Sequence, residues 1–160
     1  MRVKTKPLDW ETYLCNVKVK VINSSSNPLP EYQTPGSAGM DIRANIEEAI
    51  QLESLDRILV PTGLRIELPM GFEAQIRPRS GMAFKRGLSL PNTPATIDSD
   101  YRGEIKVAII NLSREVQIID PGERIAQLVI AKVETVEWQQ VNEIEETERA
   151  GGGFGHTGSK

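Results

Sequence analysis

Apolar residues recur at every second position through most of this chain. That period fits half-buried β-strands and does not fit helices. Val17, Val19 and Val21 alternate with Lys18 and Lys20, and Leu64, Ile66 and Leu68 with Arg65 and Glu67. Phe72, Ala74 and Ile76 alternate with Glu73, Gln75 and Arg77; Ile105, Val107 and Ile109 continue the pattern, followed by Val116 and Ile118. Each set predicts an apolar face turned inward. Pro61-Thr62-Gly63, Pro69-Met70-Gly71 and Asp120-Pro121-Gly122 punctuate the runs as turns. Only Ser80 to Arg86 invites a short helix, with Ser80 as its N-cap. The pattern predicts an all-β domain over residues 17–148, a sandwich, jelly roll or barrel. Residues 1–16 lack periodicity and read as an N-terminal extension, with Trp10, Tyr13 and Leu14 packing back onto the body.

A chain of 160 residues is one domain by default. Its net charge of −3 gives no electrostatic footprint for nucleic acid or an anionic membrane. A polyanionic substrate therefore has to be held by local arginines. Cys15 and His156 are the only residues of their kinds, which excludes a disulfide framework and a histidine metal cage. The lone cysteine points to a reducing compartment, the cytoplasm. The basic start, Met1 to Pro7, is followed by no apolar stretch, and no run approaches the ~18 residues of a membrane span.

Chemistry concentrates in a few connections. Thr96-Ile97-Asp98-Ser99-Asp100-Tyr101-Arg102-Gly103 packs two acids, a ring and a glycine ahead of an alternating strand. A plain hairpin needs less acid than this, although Asp-Ser-Asp is also ordinary turn chemistry. An acid serves as a base and a tyrosine ring as a flat wall, so the pairing suits a flat substrate such as a nucleobase. In Arg77-Pro78-Arg79-Ser80-Gly81, strand geometry puts Arg77 and Arg79 on one face, and the helix start that follows favours an anion. The bland reading of that stretch is a solvated arginine face beside a helix cap.

Asp41 follows a Gly-rich turn, where it reads either as a capping residue or as an orienter of metal-bound water. Arg124 and Gln127 are three apart, so an ideal strand sends them to opposite faces; only a bent strand lets both serve one site. The segment 149–158 holds many glycines among Arg149, Phe154 and Thr157. Its Gly153-Phe154-Gly155-His156-Thr157-Gly158 matches GxGxxG, but Ser159 and Lys160 after it make no helix, so dinucleotide binding is rejected. The composition is that of a disordered tail, yet glycines admit phosphate to the backbone, an arginine adds charge and a ring stacks on a base. A mobile arm that closes over a nucleotide accounts for all three.

Five segments, PGSAGMDIRA (35–44), RPRSGMAFKRG (77–87), NTPATIDSDYRGE (92–104), PGERIAQL (121–128) and RAGGGFGHTG (149–158), resemble in order the five motifs of the trimeric dUTPase family. The resemblance implies a distorted jelly-roll-like barrel in a homotrimer with shared active sites. It implies hydrolysis of dUTP to dUMP and pyrophosphate, limiting uracil in DNA and supplying dUMP for thymidylate synthesis, with Mg²⁺ on the triphosphate. By the same resemblance Asp98 looks like the base that activates water for attack on the α-phosphorus. Tyr101 looks like the residue beneath the deoxyribose, and the backbone from Asn92 through Thr96 and Ile97 to Asp98 like the reader of uracil. Arg79, Ser80 and Gly81 resemble a phosphate-binding turn. Gln127 resembles a triphosphate or water contact, and Arg124 a structural residue. Lys106 stands where relatives touch substrate, and Asp41 belongs to the outer metal shell. Residues 149–160 form the arm, with Arg149 as the γ-phosphate clamp and Phe154 and Gly155 closing over uracil. Ala95, Ala150 and His156 depart from the common motif residues, and Ala95 is strained if its position needs φ > 0. The alternatives are a dCTP deaminase-like enzyme on the same fold and a non-catalytic trimeric binding module.

Overall fold

The computed structural model describes residues 17–147 and 149–151. Eleven strands and one helix follow in order: β1 (Lys20–Asn23), β2 (Met40–Arg43), β3 (Ile50–Leu52), β4 (Arg57–Pro61), β5 (Leu64–Glu67), β6 (Phe72–Arg77), α1 (Ser80–Arg86), β7 (Leu88–Ser89), β8 (Ala95–Ile97), β9 (Lys106–Asn111), β10 (Gln117–Ile119) and β11 (Arg124–Lys132). The all-β expectation with one short helix is met. The ladders form four sheets, β1-β5, β10-β3, β2-β11-β6-β8 and β4-β9-β7, and do not close into a single barrel. No helix among the described residues is long and apolar enough to cross a membrane.

Alternation builds the core. Ile105, Val107 and Ile109 are buried as their spacing requires, as are Leu64 and Ile66 on β5 and Ala74 and Ile76 on β6. Two sets depart from it. Val116 and Ile118 are 47% and 45% exposed, and Ile119 is the buried residue of β10. Gln117 lies across from Leu52 and Ile119 from Ile50. A one-residue slip of register exchanges the faces of a strand. Val17, Val19 and Val21 line an open apolar groove of about 740 Å³ with Leu29, Tyr32 and Phe72; Val19 also packs against the core, while Val21 is exposed.

The four-stranded sheet sets the site. Met40, Leu128 and Ile76 lie in register on its inner face, while Asp41, Gln127 and Arg77 lie in register on the outer one. The helix begins one residue away from the expected cap. Arg79, extended at φ −81° and ψ 132°, is the N-cap, and Ser80 is already helical. At the other end Gly87 takes φ +67° and donates its N–H to Met82 O, a left-handed close that favours glycine. A Cβ on Gly87 would also meet Ser113 N at 2.8 Å.

Candidate active site

The first cluster centres on Asp41. β6 ends at Arg77 because Pro78 has no N–H for the ladder, so Arg79 leaves the sheet and turns across it. Its Nε–H donates to Asp41 Oδ1 at 2.8 Å and its Nη1–H to the Arg124 carbonyl at 3.2 Å. Arg124 Nη1–H donates to Asp41 Oδ2 at 3.1 Å. Arg77 instead donates Nε–H to Gln75 Oε1 at 3.0 Å, so the two arginines expected on one face have different partners.

The reason Arg124 joins Asp41 is a β-bulge. Arg124 pairs with Arg43 and Ala126 with Ile42, leaving Ile125 as the extra residue. With one residue bulged, Arg124 and Gln127 behave as if two apart and fall on the same face. The bend named as a condition in the sequence is present. Arg43 Nη1–H braces the turn ahead of it by donating to Gly122 O at 2.8 Å. Behind it, the Arg86 guanidinium donates to a Glu123 carboxylate oxygen and to the Ile118 carbonyl, tying α1 to β10 and the start of β11.

Above this cluster, Ser80 and Gly81 open α1 with no side chain capping their N–H groups. Gly81 has neither a positive φ nor any atom within 4 Å of where a Cβ would sit. The fold does not require glycine there, although glycine costs a helix interior about 1 kcal/mol.

The second cluster lies in the connection from β8 to β9. β8 pairs with β6, Thr96 opposite Gln75 and Ile97 opposite Ala74. Ala95 lies in this strand without a positive φ, so the alanine is unstrained. Asp98 starts a turn closed by Tyr101 N–H donating to Asp98 O at 3.1 Å. Thr96, Ile97, Asp98, Tyr101 and Lys106 line one cavity of about 580 Å³, together with Leu59, Arg65 and Glu104. Asn92 is exposed in the turn before the cis Thr93–Pro94 bond and does not line it.

Leu59 and Arg65 fall in none of the five segments, whereas Glu104 closes the third, without a role assigned to it. Arg65 read as the solvated partner in an alternating pair, and that outward position is what delivers it to the cavity.

None of Asp41, Arg79, Ser80, Gly81 and Gln127 lines the Asp98 cavity. A single copy therefore presents two part-sites, one built on Arg79 and Arg124 around Asp41 and one of mixed charge with an aromatic wall. Arg149 and Ala150 are exposed, and Ala150 has φ +42°, a left-handed value that glycine adopts without penalty. Phe154, Gly155 and His156 lie outside the described residues, as do Trp10, Tyr13, Leu14 and Cys15. No three His, Cys, Asp or Glu side chains converge as a metal site among the described residues.

The model of the dUTPase family matches residues 25–158, a span that holds all five segments. The chain belongs to the dUTPase family. A deoxyuridine 5'-triphosphate nucleotidohydrolase of Fusobacterium nucleatum is 58% identical over 142 residues, covering 89% of this chain and 97% of that protein. One from Cytophaga hutchinsonii is 60% identical over 140 residues, covering 88% and 91%. Among solved structures, the dUTPase of Staphylococcus bacteriophage 80alpha with dUPNHPP superposes with a TM-score of 0.76 at 27% identity, covering 88% of this chain and 98% of that one. A dUTPase from phage phi11 of S. aureus, described as coordinating a structural Mg(II) ion, gives 0.71 at 25% identity, covering 81% and 99%.

Proposed function

We propose that this dUTPase-family chain hydrolyses dUTP to dUMP and pyrophosphate in the cytoplasm, limiting uracil in DNA and supplying dUMP for thymidylate synthesis. One observation chiefly supports it. Asp98, with no ion-pair partner among the described residues, opens onto a cavity that is walled by Tyr101 and flanked by the cations Arg65 and Lys106.

Asp98 takes a proton from water as the water oxygen bonds to the α-phosphorus, and the bond from that phosphorus to the bridging oxygen breaks, releasing pyrophosphate. Such chemistry needs positioned water, neutralised charge and exclusion of solvent, and no covalent nucleophile. Tyr101 lies beneath the deoxyribose, and the backbone from Asn92 to Asp98 pairs with uracil. The free amides of Ser80 and Gly81 and the guanidinium of Arg79 receive phosphate oxygens, and the open space at Gly81 is what a close phosphate needs. Gln127, in register between Asp41 and Arg77, reaches the triphosphate or the attacking water. Arg149 clamps the γ-phosphate, and Phe154 with Gly155 covers the base.

Mg²⁺ fits as an ion held mainly by the triphosphate, since Asp41 stands alone and each of its oxygens already accepts one arginine N–H. Each keeps a second lone pair, so Asp41 serves as an outer-shell contact through water. When bound, the ion neutralises charge on the phosphates and helps orient them. In this reading the working form is a homotrimer with shared sites, in which neighbouring copies complete the two part-sites.

The test is pyrophosphate release from dUTP by the purified full-length protein, with dCTP assayed in parallel for ammonia. Pyrophosphate from dUTP supports the reading, and ammonia from dCTP without it points to deamination.

A further inference from the structure

The Tyr101 ring is held by residues of its own loop that are anchored in turn to a neighbouring one. Gly103 has no positive φ, so its backbone does not call for glycine. Space does. A Cβ on Gly103 would overlap the Tyr101 hydroxyl and lie 2.5 Å from Cζ. The ring therefore rests on the one residue that leaves room for it.

Its hydroxyl donates to the Glu104 carbonyl at 3.0 Å. The Glu104 carboxylate in turn accepts the Gly63 N–H at 2.8 Å. Gly63 lies in a locked turn, with φ +73° and Ser25 Cβ 2.7 Å from where its own Cβ would be. Next along the chain, buried Thr62 donates Oγ1–H to Ile105 O at 2.6 Å, and Ile105 N–H donates to Leu64 O at 2.8 Å. These bonds nail residues 104–105 to the β4–β5 turn.

We propose that Gly103 and Glu104 are positioning residues that hold the Tyr101 ring against the sugar and so set selectivity for deoxyribose over ribose. The inference rests on the dUTP reading above and names the parts of the chain that determine its selectivity. Telling a 2′-H from a 2′-OH asks a wall to hold its place to a fraction of an ångström. A tyrosine that is 43% exposed does not do so by burial. Here its donor is spent on a backbone carbonyl and its hydroxyl end lies close against Gly103, so the ring cannot swing aside for an extra hydroxyl. The same turn ties the ring to Asp98 through the Tyr101 N–H, coupling sugar placement to the base.

Glu104→Ala, Glu104→Gln, Gly103→Ala and Tyr101→Phe are compared with wild type for kcat/KM on dUTP and on UTP, and for melting temperature. Glu104→Ala and Gly103→Ala are expected to lower the dUTP/UTP ratio by about tenfold or more. Glu104→Gln, whose amide oxygen accepts the same N–H, keeps the ratio within about threefold. A turn-sealing role alone lowers both rates in proportion and leaves the ratio where it was, and that result in both alanine variants overturns the proposal. If those variants do not fold, Tyr101→Phe removes only the hydroxyl, and an unchanged ratio there overturns the tether. Wild type that releases no pyrophosphate from dUTP rejects the underlying function instead.

Discussion

Arg79 donates its Nε–H to Oδ1 of Asp41 at 2.8 Å, joining the start of α1 to β2 across the outer face of the four-stranded sheet. The Asp41 side chain is 11% exposed and that of Arg79 27%, so the pair is partly shielded from water. Asp41→Ala strips both Arg79 and Arg124 of their anion. A hydrogen bond to a charged group contributes about 1.5–3 kcal/mol, so the variant should lose that much in urea unfolding and raise KM for dUTP as Arg79 drifts. A loss under about 0.5 kcal/mol would mean the cluster does not organise the site.

Arg124→Ala should cost far less. Its side chain is 44% exposed, and exposed ion pairs contribute about 0–1 kcal/mol. Equal destabilisation by Arg124→Ala and Asp41→Ala in the same urea titration would contradict the ranking.

Much of this was legible from period and punctuation. The strands from Leu64 to Arg77 and from Ile105 to Ile109 follow the alternation, because a half-buried pleat admits one pattern. The five segments were legible as candidates, but not which of them meet. Distant contacts such as Arg79 to Asp41 leave no local trace. The bulge at Ile125 has a faint one, two neighbouring apolar residues, Ile125 and Ala126, where alternation breaks; both are buried. The N-cap lies at Arg79 and not at Ser80 because backbone geometry decides it, while residue type favours serine. Arg65 went unmarked because a charged outward residue looks the same whether it faces solvent or a substrate cavity.

Asp98→Asn should keep the fold and nucleotide binding while removing the base. General-base catalysis contributes roughly 10²–10⁴-fold, so kcat should fall by at least that range. Steady-state rates within about threefold of wild type would assign the proton to another group.

Deleting residues 149–160 removes Arg149 and Phe154. Arg149, Ala150 and Gly151 are exposed, so the melting temperature should change little. Losing one stacking ring costs about 1–3 kcal/mol, and lost charge and water exclusion add to it, so turnover should fall by at least about tenfold. A truncated protein with normal kcat takes the arm out of the mechanism.

Lys20 donates to Glu67 Oε1 at 2.8 Å across β1 and β5, and this bond, with the ammonium charge, holds the Glu67 carboxyl below its ordinary value. A carboxyl depressed in the folded state stabilises above its unfolded pKa, and that contribution is lost as pH falls through the folded value. The melting-temperature gap between wild type and Glu67→Gln should therefore be small at neutral pH, shrink in acid and shrink with salt. A gap constant from neutral pH to acid would contradict the assignment.

The central claim is that water activated by Asp98 attacks the α-phosphorus of dUTP. Turnover in ¹⁸O-enriched water, with the products separated and weighed by mass spectrometry, tests it directly. Label in dUMP, with unlabelled pyrophosphate, is the expected result. Label in pyrophosphate and none in dUMP would place the attack on the β-phosphorus and contradict the account.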